Sequence, residues 1–232
     1  IAVTGVQTCA LPILLEFTEP GGMMDQYSTA VGNIIYLASV PSIQIQTYQV
    51  PLGTFVLGDS QQAKDTLGIL SRVKFGTLGG LRKIKEKNPS FDLSTCTIEE
   101  LHPFESILTS DEMELITSNI SDRDILLEAK EMFEGRTKWS DDHLGKLLND
   151  HQKNLREYKQ ISTEKIDRMI SASLSAGALG AKINGSGGGG CMFAYAPENP
   201  EAVVEAIEKE GGKAYVIRVD EGTRVEQESL FY

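Results

Sequence analysis

Residues 181–197 read AKINGSGGGGCMFAYAP. Five of the six residues from Gly185 to Gly190 are glycine, the exception being Ser186, and an apolar run follows at once. Because glycine lowers the stability of regular elements, this cluster indicates backbone that approaches something closely, and phosphate groups are often bound in this way by N–H groups. A flexible linker is the alternative, but linkers are rarely followed directly by a strand-like run.

The glycine cluster matches neither of two common nucleotide-binding motifs. No Gly-Lys-Ser/Thr closes it, as a Walker loop requires. The glycines also lead into a predicted strand, Cys191–Tyr195, rather than out of a strand into a helix, which argues against a dinucleotide fingerprint. Lys182 is a candidate to lend positive charge to the loop, although a lysine at such a position is more often simply solvated.

Composition narrows the function classes. The net charge of −11 and the lack of a basic stripe argue against a nucleic-acid partner, but a local phosphate site remains possible. Cys9, Cys96 and Cys191 lack metal-ligand spacing and indicate a reducing, cytoplasmic location. We therefore expect no metal site within the chain. No apolar run approaches the ~20 residues of a membrane span, so no membrane partner is expected.

Periodicity predicts an α+β fold, in which helices pack on one face of a mostly antiparallel sheet. The early elements are a helix over residues 23–37 and strands over 42–50 and 54–57. Residues 61–87 are predicted as helical with a break around Gly76 to Gly80. Later elements are separate helices over 111–119 and from 121, a helix capped by Ser140, and a helix from about 163 to 175. A helix after Asn199-Pro200 and a strand over 213–219 follow.

The segment PGGMMDQYSTAVGN, residues 20–33, places Asp25 at a predicted helix start. A carboxylate there can accept or orient the proton of a substrate hydroxyl. An aspartate in a first helical turn more often only stabilises the helix dipole. Gln26 either hydrogen-bonds a polar ligand or faces solvent.

Three segments together resemble the GHMP small-molecule kinase superfamily. GGMMDQ is similar to the segment that carries the catalytic aspartate of galactokinases, and NGSGGGGCMFAY to the superfamily's carboxyl-terminal glycine-rich motif. The sequence of residues 144–182 resembles the helix pair before that motif. The similarity runs from about Glu19 to Val219.

The resemblance implies a carboxyl-terminal fragment of an ATP-dependent, galactokinase-like sugar kinase with a ferredoxin-like layer. Its implied organisation is a spurious leader at 1–13, the end of the amino-terminal kinase domain at 14–60, and the GHMP kinase carboxyl-terminal domain at 61–232. Asp25 matches the catalytic aspartate, and the implied substrate-binding residues are Gly22, Gln26 and Asp59. The implied phosphate-binding residues are Gly185, Ser186, Gly187, Gly188 and Gly189.

The chain departs from the superfamily pattern in its upstream part. The main ATP loop, which normally precedes the catalytic aspartate and helps to hold Mg²⁺, has no counterpart, so we expect the Mg²⁺ ligands outside this chain and no kinase activity from these residues alone. No tyrosine matches the galactokinase sugar-binding one after Asp59, which argues against galactose. A non-catalytic anion- or sugar-phosphate-binding module is the alternative function, and the Asp-Gln pair argues against a mevalonate- or homoserine-type kinase. The kinase interpretation also requires Asp25 and the glycine loop to face a shared cleft.

Overall fold

The computed structural model of the chain describes residues 24–39, 42–64 and 66–223. The leader expected at 1–13 and Gly22 lie outside these residues. The chain divides into two units, one of Ile1–Pro51 with Val219–Tyr232 and one of Leu52–Arg218. None of the described helices is long and apolar enough to span a bilayer.

The first unit contains helix α1 (Met24–Val31) and a hairpin of β1 (Ile34–Ala38) and β2 (Gln44–Tyr48). The prediction of one helix through Leu37 was wrong. Gly32 and Asn33 both adopt positive φ, +67° and +56°, which ends α1 after one more hydrogen bond from Gly32 N to Ser28 O. The β-branched residues that follow then pair with β2.

The second unit is built on an antiparallel sheet of β3 (Phe55–Asp59), β4 (Gly180–Ile183), β5 (Cys191–Tyr195) and β6 (Lys213–Ile217). Their order in the sheet is β4-β5-β3-β6. The four strands share the second unit with five helices, within the described residues. In chain order the elements are β3 (Phe55–Asp59), α2 (Thr66–Lys87), α3 (Ser110–Phe133), α4 (Asp141–Glu157), α5 (Glu164–Ser175), β4 (Gly180–Ile183), β5 (Cys191–Tyr195), α6 (Pro200–Lys209) and β6 (Lys213–Ile217). A short 3₁₀ helix, Glu99–Phe104, precedes α3. The predicted α+β class is confirmed, whereas β4 was not predicted.

The main core lies between one face of this sheet and helices α5 and α6. Alternate strand residues point to that face, as the two-residue period of a strand dictates. The fully buried members are Val56, Ala181, Ile183, Met192 and Ala194 from the strands and Ile166, Met169, Val203 and Ile207 from the helices. This packing fixes the positions of both ends of the glycine-rich loop, because β4 and β5 flank it.

Helix α4 runs along the outer edge of β4 and completes its hydrogen bonding. Asn149 Oδ1 accepts from Ala181 N at 3.0 Å, and Gln152 Oε1 accepts from Ile183 N at 2.9 Å. The helix can lie so close because Gly180 has no side chain, since a β-carbon built there would lie 2.2 Å from Gly145 O. The edge amides of β4 are therefore satisfied by side chains rather than by another strand.

Helices α2 and α3 differ from prediction because both are unbroken. Glycines within α2 allow α3 to approach: a β-carbon built on Gly76 would lie 2.6 Å from Leu115 Cδ1, and one on Gly80 2.8 Å from Ile116 Cδ1. Helix α3 continues past Ser121 because Ile120 is fully buried in the same contact region. The glycines therefore serve helix packing and do not interrupt the helix.

The predicted cap of α4 is confirmed, and α5 begins near Thr163 as predicted. Ser140 Oγ accepts from His143 N, and Thr163 Oγ1 accepts from Ile166 N. Asn199 precedes α6 as predicted, but its side chain makes no cap hydrogen bond. Pro200 begins that helix, where a missing N–H costs nothing.

Candidate functional site

The glycine-rich loop connects β4 to β5 and has a backbone that only glycine adopts without strain. Gly185, Gly187, Gly188, Gly189 and Gly190 all have positive φ, at 77°, 82°, 72°, 122° and 73°. A residue with a β-carbon pays about 1–2 kcal/mol for such a conformation. The glycine content is thus a requirement of the loop's shape.

Three backbone hydrogen bonds hold the loop to two neighbouring segments. Gly188 N donates to Ile161 O at 2.7 Å, just before α5. Gly190 N donates to Gln62 O at 3.0 Å, and Ser60 N donates to Gly190 O at 2.9 Å. The loop is therefore fixed between residues 60–64 and residues 161–163, which excludes the flexible-linker interpretation.

Close contacts with the same segments leave no space for side chains. A β-carbon built on Gly187 would lie 2.5 Å from Ile161 O, and one on Gly189 would lie 2.7 Å from Ala63 O. Non-bonded carbon and oxygen atoms do not approach this closely without displacement. The neighbouring backbone thus explains two of the glycines independently of any ligand.

Four amides of the loop remain available to a ligand. The N–H groups of Gly185, Ser186, Gly187 and Gly189 have no acceptor within the part of the chain that the structure describes. Gly187 and Gly189 are buried residues, and buried backbone donors are almost always paired. Successive free amides in a glycine loop suit the oxygens of an anion such as a phosphoryl group.

Lys64 lies against this loop and was not singled out by the sequence. A β-carbon built on Gly190 would lie 2.2 Å from Cε of Lys64, and one built on Gly185 would lie 3.3 Å from its Nζ. The aliphatic part of Lys64 thus covers Gly190, and its ammonium group reaches the beginning of the loop. Lys64 is exposed and makes no ion pair or hydrogen bond with any described residue.

Asp59 lies at the end of β3, close to where β5 leaves the loop. Its carboxylate accepts from Gln61 N and Gln61 Nε2, both at 2.8 Å, and so closes a turn. Gln62, the residue after Gln61, accepts at its Oε1 a hydrogen bond from Thr163 Oγ1 at 2.8 Å. These contacts order the segment that carries Lys64, and the carboxylate predicted to bind substrate already has partners.

Lys182 does not have the role of lending positive charge to the glycine-rich loop. Its Nζ donates to Ile183 O at 2.9 Å and lies 5.1 Å from the centre of the Phe193 ring. Burial lowers the pKa of Lys182 to about 8; the charge of Asp122 opposes this shift and that of Lys159 adds to it. Lys182 is half-buried in its own strand and is not the exposed lysine that the sequence suggested.

A polar cluster supports the segment that holds Gly188. Lys159 forms an ion pair with Asp122, whose Oδ1 also accepts from Asn154 Nδ2 at 2.8 Å. Lys159 O accepts from Arg72 Nη1 at 2.8 Å, so that α2 is also tied to this segment. Burial is the main cause that lowers the pKa of His151 to about 4. The positive charge of Lys182 adds to this shift, and the negative charge of Asp122 opposes it. This cluster fixes the backbone around Ile161 rather than presenting a reactive group.

In the first unit, Asp25 is the second residue of α1 and is exposed. Its main-chain carbonyl accepts from Ser28 Oγ at 3.1 Å. The Oε1 atom of the neighbouring Gln26 is buried and has no hydrogen-bond partner among the described residues. An unpaired buried acceptor suits a hydroxyl donor. That Asp25 and the glycine loop share a cleft stays a prediction.

The described residues do not provide a conventional metal site. No group of three or more His, Cys, Asp or Glu side chains among them could hold a metal ion. A separate cavity of about 360 Å³ lies beside the 3₁₀ helix, but its charged lining groups are the carboxylates of Asp92 and Glu100. That cavity does not suit an anion, which leaves the glycine-rich loop as the stronger candidate.

Comparison with known proteins identifies the segment around the loop. Residues 140–213 match the family model described as GHMP kinases C terminal. The mevalonate kinase of Thermococcus onnurineus is 45% identical over 85 residues, which are 36% of this chain and 25% of that protein. The galactokinase of Mycobacterium bovis is 42% identical over 53 residues, 23% of this chain and 15% of that protein.

A solved structure supports the fold over a longer range. The galactokinase of Lactococcus lactis, solved with galactose, superposes with a TM-score of 0.79 at 17% identity and covers 96% of this chain and 60% of that one. At this identity the similarity concerns the fold alone. The chain spans about a quarter of the length of that mevalonate kinase.

Proposed function

We propose that the protein is part of an ATP-dependent kinase, because residues 140–213 match the family model described as GHMP kinases C terminal. The proposed reaction transfers the γ-phosphoryl group of ATP to a hydroxyl of a small molecule. The observation that carries this proposal is the loop with four unpaired amides inside the matched segment. Relatives with kinase activity support the reaction class.

The loop would bind phosphoryl oxygens through the amides of Gly185, Ser186, Gly187 and Gly189. Donors that are fixed before the ligand arrives need no reorganisation, and this is the property that stabilises charge during phosphoryl transfer. Gly188 was also predicted to bind phosphate, but its amide donates to Ile161 O. Its part in the proposed site is to shape the loop.

Asp25 is proposed to receive the proton of the substrate hydroxyl. The substrate oxygen forms a bond to the γ-phosphorus, the bond from that phosphorus to the bridging oxygen breaks, and the proton passes to the carboxylate. Gln26 would accept a hydrogen bond from a substrate hydroxyl through its unpaired Oε1. Gly22 and Asp59 remain proposed substrate contacts, with Asp59 limited by its hydrogen bonds to Gln61.

ATP supplies the phosphoryl group, and Mg²⁺ is the metal that this kinase class uses to neutralise phosphate charge. Among the described residues, no group of three or more His, Cys, Asp or Glu side chains could hold a metal ion. No step above therefore depends on a metal ligand from these residues.

Two substrate classes are proposed. A sugar is supported by the similarity of GGMMDQ to the galactokinase segment and by the partial match to a galactokinase. Mevalonate is supported by partial matches to two mevalonate kinases, one 45% identical over 85 residues and one 44% identical over 87 residues. The Asp-Gln pair favours the sugar, and the identity of 45% over 85 residues favours mevalonate.

The experiment measures ADP release and product mass for the full-length product of the intact gene, with ATP, Mg²⁺ and a panel of hexoses, heptoses and mevalonate. Turnover of one class identifies the substrate. Asp25→Asn should lower kcat by roughly 10²–10⁴-fold, the usual contribution of a positioned proton acceptor. Asp142→Asn is the matched control, because Asp142 is also exposed in a first helical turn, and it should leave kcat unchanged.

Three outcomes would count against parts of the proposal. Binding of one ligand without turnover of any would favour the anion-binding module. An unchanged kcat for Asp25→Asn would make Asp25 a residue that only stabilises its helix. A decrease in kcat for Asp25→Asn that only equals the decrease for Asp142→Asn would lead to the same conclusion.

A further inference from the structure

The placement of Lys64 relative to the loop requires an explanation beyond packing. Lysine side chains carry about 2 kcal/mol of rotamer entropy, so an exposed lysine gains little by lying against a glycine. Yet the side chain follows the loop from Gly190 to Gly185, and the ammonium group ends there without a partner among the described residues. The glycines at both positions leave the space that this lysine occupies.

The ammonium group of Lys64 lies beside the first residue of the run of unpaired amides. Gly185, whose built β-carbon lies 3.3 Å from Nζ, begins the run of unpaired N–H groups that includes Ser186 and Gly187. The nearby carboxylate of Asp59 is occupied by Gln61 and does not bind Lys64. One formal positive charge thus lies at the beginning of a run of N–H donors that have no acceptor among the described residues.

We infer that Lys64 and the amides of Gly185, Ser186 and Gly187 bind one phosphoryl group together. The inference rests on the proposed function and assigns the positive charge of that site to a residue outside the glycine-rich motif. Amides orient the oxygens, and the ammonium group supplies the charge that neutral N–H groups lack. The ligand is a terminal phosphoryl group, carried by a nucleotide or by a phosphorylated product.

The test compares Lys64→Met with Lys74→Met in the full chain. Methionine keeps the unbranched chain over Gly190 and removes the charge. Lys74 is exposed on α2, so its variant makes the same change in net charge away from the loop. Inorganic phosphate, pyrophosphate and ATP are titrated by calorimetry, with amide chemical shifts of the loop recorded in parallel and stability checked by thermal unfolding.

Lys64→Met should weaken phosphate and pyrophosphate binding by about tenfold to a hundredfold, the range for losing a charge-assisted hydrogen bond. Lys74→Met should match the unchanged protein, and both variants should unfold at its temperature. Equal affinities for the two variants would overturn the inference. Phosphate that leaves the loop amides of the unchanged protein unshifted would also overturn it.

The result is separable from the proposed function. Lys64-dependent phosphate binding without any phosphoryl transfer by the full-length protein would keep the binding role and refute the kinase. Transfer with an ATP affinity that is indifferent to Lys64→Met would keep the kinase and refute the binding role. If the affinity for ATP falls in Lys64→Met together with that for phosphate and pyrophosphate, the ligand is the nucleotide; if the affinity for phosphate falls and that for ATP does not, the ligand is the phosphorylated product.

Discussion

Replacement of Gly187 by alanine tests whether the glycines of the loop are required by its neighbours. Gly187 has φ of +82°, and a β-carbon there would lie 2.5 Å from Ile161 O and 2.6 Å from Ile161 Cβ. The left-handed conformation costs alanine about 1–2 kcal/mol. Relief of the overlap costs about 1–3 kcal/mol more, as overpacking generally does. We expect Gly187→Ala to lower the free energy of unfolding by about 2–5 kcal/mol.

Gly135→Ala is the matched control. Gly135 follows the end of α3 with φ of +71°, and no atom lies within 4 Å of its built β-carbon. This variant carries the backbone strain without the overlap, so its loss should be about 1–2 kcal/mol. Equilibrium unfolding in urea, followed by circular dichroism, measures both. Equal losses for the two variants would refute the claim that Ile161 excludes a side chain from the loop.

Three further predictions concern the surroundings of the loop. Gln152→Ala should lower the free energy of unfolding by about 1–3 kcal/mol, because Ile183 N loses its buried acceptor, and should speed hydrogen exchange at Ile183. The lowered pKa of His151 means that the unfolded chain binds the proton more tightly, so stability should fall as the pH drops from 6.5 to about 4, and His151→Gln should flatten that fall in pH-dependent unfolding. Thr163→Ala should cost about 1 kcal/mol through the lost cap, measured in the same urea titration.

Each of these has an outcome that contradicts it. Unchanged exchange at Ile183 in Gln152→Ala would mean that the edge amide of β4 does not depend on α4. A pH profile that is the same with and without His151 would assign the acid sensitivity elsewhere. Thr163→Ala with full stability would show that the first turn of α5 is held by its packing.

Local signals in the sequence were sufficient for much of the fold. Ser140 and Thr163 each precede an amphipathic helix, and their hydroxyls accept the expected backbone N–H groups. The strand Cys191–Tyr195 was predicted from its apolar run and its position after the glycines. In these cases the residues that decide the structure are close neighbours in the chain.

Two of the errors occurred where distant residues decide. Strand β4 has only four residues and includes Lys182, so it lacks a strand signal and depends on pairing with β5 and on α4. The polar residues near Ser121 suggested a helix start, but burial of Ile120 keeps α3 continuous. Burial against distant elements therefore overrode the local signals.

The sequence predicted the main-chain part of the site, which is the glycine-rich loop. It did not predict the side-chain part, which is Lys64. A cluster of glycines is visible in the sequence whatever the fold. Lys64 reaches that cluster only because β3 pairs with β5, which brings the end of β3 beside the beginning of β5. Neither that pairing nor the contact with Gly190 can be inferred from the sequence around Lys64.

The helix along the edge of β4 also has a consequence for behaviour at high protein concentration. An exposed strand edge offers its N–H and C=O groups to strands of other molecules and so promotes aggregation. Asn149 and Gln152 already occupy the outward amides of β4, which leaves that edge unable to recruit a foreign strand. Double replacement of these two side chains should therefore produce association between chains that begins at β4.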